Sequence, residues 1–374
     1  MFFGKLCYTF FMEVTRIAVR NYRNLQEQTV SFSKGINLIL GPNAQGKTNL
    51  LECVSLCCLG KSQRNTDREL IAWGKEKALV KTEFESRFGK GSISLAYSTR
   101  EPKKIAVNEV GVSRVAEMLG YLKALVFTPD EIKTIRQGPA ERRRFLDVDL
   151  CQIDKDYFYA LCRYNRILQQ RNRLLKESKE KAALRNMLSV WDVSLAKEGT
   201  KVYRKRKAFL EQLAPLAEQS HRWLTDEAET LRLSYLSSLH KAPTEEAFCA
   251  LLERNFERDA ATGFTNAGIH RDDISFGNGE MDLRSFGSQG QQRTAALSLK
   301  LAEIEIFRQL TGEYPVLLLD DVTSELDLTR QRKLLTFSDK VQILLTATHM
   351  DASVTHGLDC NVLQVSNGRI TQQP

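Results

Sequence analysis

No apolar run in this 374-residue chain approaches the length of a membrane span, which takes about 20 consecutive residues, so a membrane partner is not expected. No Cys-x-x-Cys pair occurs among the eight cysteines. The cluster Cys53, Cys57 and Cys58 lies in an apolar, helix-like stretch with no histidine near it. That pattern argues against zinc and against a disulfide framework, and fits core packing in a reducing cytosol, the expected location. Residues 1–11 are apolar and aromatic but lack a charged leading segment and a small-residue cleavage site, so they do not read as a signal peptide. Met12 precedes a good strand pattern, and residues 1–11 read as an upstream extension. Internal repeats and low-complexity tracts are missing, and heptads are not sustained over enough turns for a long coiled coil. The charge excess is modest, 54 Lys and Arg against 46 Asp and Glu, and favours a polyanionic partner only where the cations cluster.

What is present divides the chain into an α/β start, a helical middle and an α/β end. Residues 14–20, 28–32, 36–40, 78–87, 92–97 and 105–107 read as strands, with turns at Gly35 and at residues 89–91. From Pro129 to about Arg254, glycine and proline are sparse. Thr128, followed by Pro129, Asp130 and Glu131, reads as a helix N-cap with acids in the first turn. Residues 157–183 carry apolar positions at helical spacing among many charges, giving a compact helical lobe with a short arm. Residues 316–319 and 341–345 are continuous apolar runs, as in strands buried on both faces, and residues 297–310 read as a helix. The expected boundaries are an extension over 1–11, a first head segment over 12–127, a helical lobe over 128–262 and a second head segment over 263–374.

Gly41-Pro42-Asn43-Ala44-Gln45-Gly46-Lys47-Thr48 matches the phosphate-loop pattern, between an apolar strand at 36–40 and a helix at 48–59. Gly41 and Gly46 let backbone amides point at phosphates, and the helix N-terminus adds positive potential. Lys47 would reach the β- and γ-phosphates of ATP, and Thr48 would place a hydroxyl on Mg²⁺. The strand 316–319 delivers Asp320 and Asp321 at its C-terminal end, the usual crevice of a parallel sheet. Asp320 would hold Mg²⁺ through water, and Asp321 would orient or deprotonate the attacking water. Ser324-Glu325-Leu326-Asp327 follows directly, and His349 ends the next strand, where it could touch the γ-phosphate. Ser288-Gln289-Gly290-Gln291, some thirty residues before Asp320 and at the start of a helix, forms a second anion site. That spacing is similar to ABC-type ATPases, in which Ser-x-Gly-Gln contacts the γ-phosphate held by the other subunit. Ser288, Gly290 and Gln291 would then make ATP the glue of a homodimer.

The chain resembles the RecF family of DNA replication and repair proteins, ABC/SMC-type ATPases, from about residue 12 to 370. The stretches that carry the resemblance, beyond the shared ATPase motifs, include Asn21-Tyr22-Arg23-Asn24, Gly60-Lys61-Ser62, Arg142-Arg143-Arg144-Phe145-Leu146-Asp147, Gln170-Arg171-Asn172, Trp191-Asp192 and Gly268-Ile269-His270-Arg271-Asp272-Asp273. The resemblance implies an ABC-type head split in sequence by an inserted α-helical lobe. It also implies ATP-dependent dimerisation on gapped or junction DNA, double- and single-stranded, with a weak, DNA-stimulated ATPase. Partners implied are RecR, with RecO and RecA downstream on SSB-coated single strands, and a role in the SOS response. Departures from the family and from ABC enzymes are Gly287 where transporters carry leucine, Asp321 where most ABC enzymes carry glutamate, Ile269 for proline and Gln63 for histidine. Candidate DNA contacts are Lys61, Arg64, Arg142, Arg143, Arg144, Arg171, Arg204, Lys205, Arg206 and Lys207, with Arg163, Arg166 and Arg173 on the same lobe. Such clusters neutralise phosphates without reading bases. Two other classes stay open: a transporter nucleotide-binding subunit, and an ATP-binding scaffold with little turnover.

Overall fold

The structure, a computed structural model, describes residues 10–62, 65–177, 180–279 and 281–372. The chain packs as two compact units, Met1–Glu131 with Lys300–Pro374, and Ile132–Leu299. No helix among the described residues is long and apolar enough to cross a membrane.

The first unit holds two six-stranded sheets. One runs, in spatial order, Arg369–Gln372, Cys360–Ser366, Ile36–Leu40, Ile343–Ala347, Val316–Asp320, Ala124–Phe127. All neighbours are parallel except the edge strand Arg369–Gln372, which returns antiparallel from Cys360–Ser366. Every residue of Val316–Asp320 and Ile343–Ala347 is buried. Their unbroken apolar runs follow from that double-sided burial. The second sheet is wholly antiparallel, in the order Gln28–Ser31, Glu13–Arg20, Lys77–Ser86, Gly89–Ser98, Lys104–Val107, Val110–Val112.

The helix Lys47–Leu59 touches strands of both sheets and shares one apolar core with them. Its apolar residues are spread around the helix because both sides are covered. Cys53, Cys57 and Cys58 are free thiols inside that core, and burial pushes the Cys57 thiol up to about 12. A proton held that firmly makes the thiol inert. Gly60 stops the helix in a left-handed C-cap at φ 71°, its N–H donating to the Leu56 carbonyl. Residues 89–91 do not form the expected turn: strand pairing begins at Gly89, opposite Ser86.

The second unit contains the helices Ile132–Arg136, Pro139–Ile153, Lys155–Glu177, Lys181–Leu224, Glu245–Arg254 and Phe256–Thr262. It also contains a small antiparallel sheet of Arg232–Leu236, Asp273–Asn278 and Met281–Asp282. The expected boundary at 262/263 falls inside this unit, because Asp273–Asn278 pairs back onto Arg232–Leu236. Lys181–Leu224 has 44 residues, a rod of about 66 Å at 1.5 Å per residue. Leu184, Leu188, Asp192, Leu195, Gly199, Val202, Arg206, Phe209, Leu213, Ala217, His221 and Leu224 are all buried. Their three- and four-residue spacing is one continuous seam. Three of those positions are charged or imidazole side chains, so an apolar heptad count misses the seam.

Candidate nucleotide site and charged surface

The phosphate loop leaves the buried strand Ile36–Leu40 and enters the helix Lys47–Leu59. Two of its glycines have no room for a side chain. A Cβ on Gly41 would lie 2.3 Å from the Val365 carbonyl oxygen, and one on Gly46, at φ 111°, 2.7 Å from Leu25 Cδ2. Ala44 is left-handed at φ 64°, and its carbonyl accepts from Asn24 Nδ2 at 3.0 Å. Lys47 is buried, and its Nζ donates to the Gly41 and Pro42 carbonyls at 2.7 and 2.8 Å. Burial pulls the Lys47 ammonium below its ordinary pKa, against the opposing pull of Asp321 and Asp320.

Asp320 and Asp321 come from the adjacent part of the sheet. Asp320 Oδ1 accepts from Thr48 Oγ1 at 2.8 Å and from Thr346 Oγ1 at 2.9 Å. Asp321 follows in a left-handed conformation, φ 54°. Its N–H is held by Thr346 Oγ1 at 3.0 Å and by the Thr346 carbonyl at 3.2 Å. Asn43, Ala44, Gly46, Lys47, Thr48, Asn49, Asp320, Asp321 and Thr346 line one cleft. Thr346 is the residue that sequence reasoning passed over. Its signal was weak, a polar residue inside the apolar run before His349, and only the parallel register opposite Asp320 gives it a role.

Other candidates lie elsewhere. His349 is exposed just beyond the strand Ile343–Ala347, its Nδ1 3.3 Å from Thr348 Oγ1, and does not line the cleft. Gln45 turns away from the cleft and accepts from the Asn367 N–H at 2.6 Å. In the second unit, Ser288 caps the helix Gln289–Thr311. Its Oγ accepts from the Gln291 N–H at 3.2 Å, while Gln291 Oε1 accepts from the Ser288 N–H at 3.0 Å, a reciprocal capping box. Gly290 follows the cap, where an added Cβ would meet only Ser288 Oγ, at 3.9 Å, among the described residues.

The basic candidates separate into buried and exposed sets, and three of them are not DNA contacts. Arg142, Arg171 and Arg206 are fully buried and cannot meet a DNA backbone. Arg142 is clamped to both Asp273 oxygens and donates to the Gln137 carbonyl at 2.6 Å. Arg171 bridges Asp192, Asp259 and Thr265 at 2.6, 2.8 and 2.8 Å. Arg206 joins Tyr157, Asp147, Asp272 and the Ile269 carbonyl. Guanidinium in an interior persists only with its donors answered by acids, and each of these has acids in reach. Arg143 is half-buried on the Asp272 carbonyl, and Lys205 is paired with Asp154. Lys61, Arg144, Arg204 and Lys207 are exposed. Arg163 and Arg166 of Lys155–Glu177 are exposed too, Arg163 with its guanidinium paired to Glu198 at 2.9 Å. Arg64 lies outside the described residues.

A family model described as an AAA domain matches residues 16–336. The DNA replication and repair protein RecF of Halothermothrix orenii is 41% identical over 375 residues, covering 96% of this chain and 99% of its own. The protein of the same name from Lachnoclostridium phytofermentans is 38% identical over 361 residues, with the same coverage. Among solved structures, the recombination mediator protein RecF-ATPrS in the RecFOR pathway superposes with a TM-score of 0.89 at 34% identity, covering 97% of this chain and 98% of its own. A Pyrococcus furiosus Smc head domain, at TM-score 0.57 and 15% identity, shares the ABC-type fold alone. Identity at that level over nearly the whole length, on a matching fold, leaves one conclusion: the chain belongs to the RecF family of DNA replication and repair proteins.

Proposed function

We propose that this chain is an ATP-gated DNA clamp of replication and recombinational repair. It dimerises around ATP on gapped or junction DNA and resets by slow hydrolysis. The observation that carries the reading is the cleft in which Lys47, Thr48, Asp320 and Asp321 converge, on a chain alike throughout to RecF proteins, one of them solved with ATP.

The residues fit a magnesium–nucleotide. The loop's glycines leave backbone amides unscreened by side chains, and the Lys47 ammonium donates to carbonyls that phosphate oxygens would replace. The Thr48 hydroxyl and Asp320 carboxylate form a small oxygen-donor set, suited to an ion that keeps several waters and takes phosphate oxygens. Bound there, Mg²⁺ would neutralise charge on the phosphates. Asp320 is kept in place by two hydroxyls. Asp321, one residue on, presents a carboxylate to orient or accept a proton from water. Its short side chain suits slow turnover. Ser288, Gly290 and Gln291 of a second copy would close the site. His349 would act only after moving toward the cleft.

DNA would lie along the exposed cations of the second unit, Arg144, Arg204 and Lys207, with Arg163 and Arg166; Lys61 is a separate candidate contact on the first unit. RecR would be the direct protein partner, with RecO and RecA downstream and SOS induction as the wider outcome; the cytoplasm is the expected compartment. The test is a titration with duplex, single-stranded and gapped DNA, with and without ATP, on wild type and Lys47→Ala. ATP-dependent binding to gapped DNA that vanishes in Lys47→Ala is expected. Equal binding with and without ATP would refute the gate. A Ser288→Arg protein should bind ATP and stay monomeric in light scattering; normal dimerisation would remove the cross-protomer role.

A further inference from the structure

The phosphate loop is held from outside by the last hairpin of the chain. Strands Cys360–Ser366 and Arg369–Gln372 are joined by a two-residue turn, Asn367 and Gly368, both at positive φ, 48° and 73°. That is the pattern of a tight hairpin turn favouring Asn-Gly. The Gly368 N–H donates to the Gln45 carbonyl at 3.1 Å, and the Asn367 N–H donates to Gln45 Oε1 at 2.6 Å. On its other side the turn is anchored to the segment after Glu13–Arg20. Gln26 Nε2 donates to the Asn367 carbonyl at 3.0 Å, and Gln28 Nε2 to the Gly368 carbonyl at 2.6 Å. A Cβ on Gly368 would lie 1.9 Å from the Asn24 carbonyl oxygen, so the approach admits only glycine.

These bonds decide which way two peptide groups point. In a planar trans peptide the C=O of one residue and the N–H of the next are opposed. Asn24 draws the Ala44 carbonyl outward, and Gly368 draws the Gln45 carbonyl outward. The N–H groups of Gln45 and Gly46 are therefore turned the other way, toward the cleft that Ala44, Gly46 and Lys47 line. Without the external donors, the loop would be free to rotate those peptides and lose its concave array of amides.

We propose that the Asn367–Gly368 turn and Gln45 are positioning residues that pre-set the phosphate loop for anion binding, so that the C-terminal hairpin controls nucleotide affinity. The inference rests on the nucleotide reading above. The Asn367 side chain is exposed, and among the described residues the turn meets the loop through the Asn367 and Gly368 backbone, so replacing that side chain changes the turn and spares the cleft. Asn367→Val places a β-branched residue at positive φ, a strain worth a factor of about ten. Asn367→Gly keeps the turn. A matched control exists in the same unit. Asn108 and Glu109 form another two-residue turn at φ 50° and 68°, between Lys104–Val107 and Val110–Val112, and Asn108 also accepts a hydrogen bond from the Ser92 N–H.

The experiment measures the Kd for ATP and the thermal midpoint of the full chain for wild type and Asn367→Val, Asn367→Gly, Asn108→Val and Lys47→Ala. Expected are binding about tenfold weaker for Asn367→Val, within about twofold of wild type for Asn367→Gly, and wild-type affinity for Asn108→Val despite a lowered midpoint. Wild-type affinity in Asn367→Val, or an equal loss in Asn108→Val, overturns the inference while leaving the nucleotide reading intact. A wild type with no ATP affinity overturns both.

Discussion

Thr346→Val removes one hydroxyl from a fully buried position and leaves the shape of the side chain nearly unchanged. Besides a long 3.5 Å contact with the Leu319 carbonyl, two bonds are lost, Thr346 Oγ1 to Asp320 Oδ1 at 2.9 Å and the Asp321 N–H to Thr346 Oγ1 at 3.0 Å. The second is cushioned, because the same N–H also reaches the Thr346 carbonyl at 3.2 Å. The first is a bond to a carboxylate, worth about 1.5–3 kcal/mol, and its loss leaves the Thr48 hydroxyl without its companion on the same Asp320 oxygen. A net loss of about 2 kcal/mol follows, or roughly a 30-fold change in the population of the correctly placed carboxylate pair. Denaturant titration should show that loss, and single-turnover ATP hydrolysis should fall by about tenfold or more while magnesium-free ATP affinity holds. Thr346→Ser keeps the hydroxyl and should recover most of both. A Thr346→Val protein that unfolds and turns over ATP like its parent would refute the assignment.

Asp321→Glu should lower stability by about 1 kcal/mol, since a longer side chain is less tolerant of φ 54° than Asp or Asn; Asp321→Asn should melt normally and hydrolyse more slowly. Burial pushes the His270 imidazole down to about 4, with Nδ1 2.7 Å from Tyr164 Oη and Nε2 2.9 Å from the Thr265 carbonyl. An unfolded imidazole titrates near 6.5, so the unfolded chain binds the extra proton first. The stability is fully present above about pH 6.5 and declines as pH falls toward 4, by ~3 kcal/mol. Stability profiles of wild type and His270→Gln should converge in acid. Arg206→Ala should cost about 3–5 kcal/mol by leaving Asp147 and Asp272 uncompensated. Arg204→Ala with Lys207→Ala should leave melting unchanged and flatten the salt dependence of DNA binding, with a slope smaller by about 2; an unchanged slope would take this surface out of the DNA path.

The strand–loop–helix over residues 36–59 was legible because each part has its own signal: an apolar run, paired glycines and a basic–hydroxyl step. Val316–Asp320 was legible for the same reason, since burial on both faces writes an unbroken run. Ala124–Phe127 was missed, being four residues long and indistinguishable from a turn of buried helix until it pairs with Val316–Leu319. Arg232–Leu236 was lost inside a helix-rich stretch, its partner some forty residues away. The arginines misled for a physical reason. A guanidinium reads the same in sequence whether it faces water or is matched by Asp192 and Asp259, and the matching acids lie far along the chain. Positioning bonds from Thr346, Asn24 and Gly368 depend on register and turn geometry, which a linear reading does not carry.

The mutual embrace of Ser288 and Gln291 has a consequence for how sharply such a protein could switch. The hydroxyl, the carboxamide oxygen and two backbone donors at that helix end already satisfy one another. An incoming anion gains only the difference between its own bonds and those it displaces, so chance encounters with dilute phosphate are poorly rewarded. Only a ligand held firmly by a second set of groups would tip the exchange, which favours an all-or-none response over gradual occupancy.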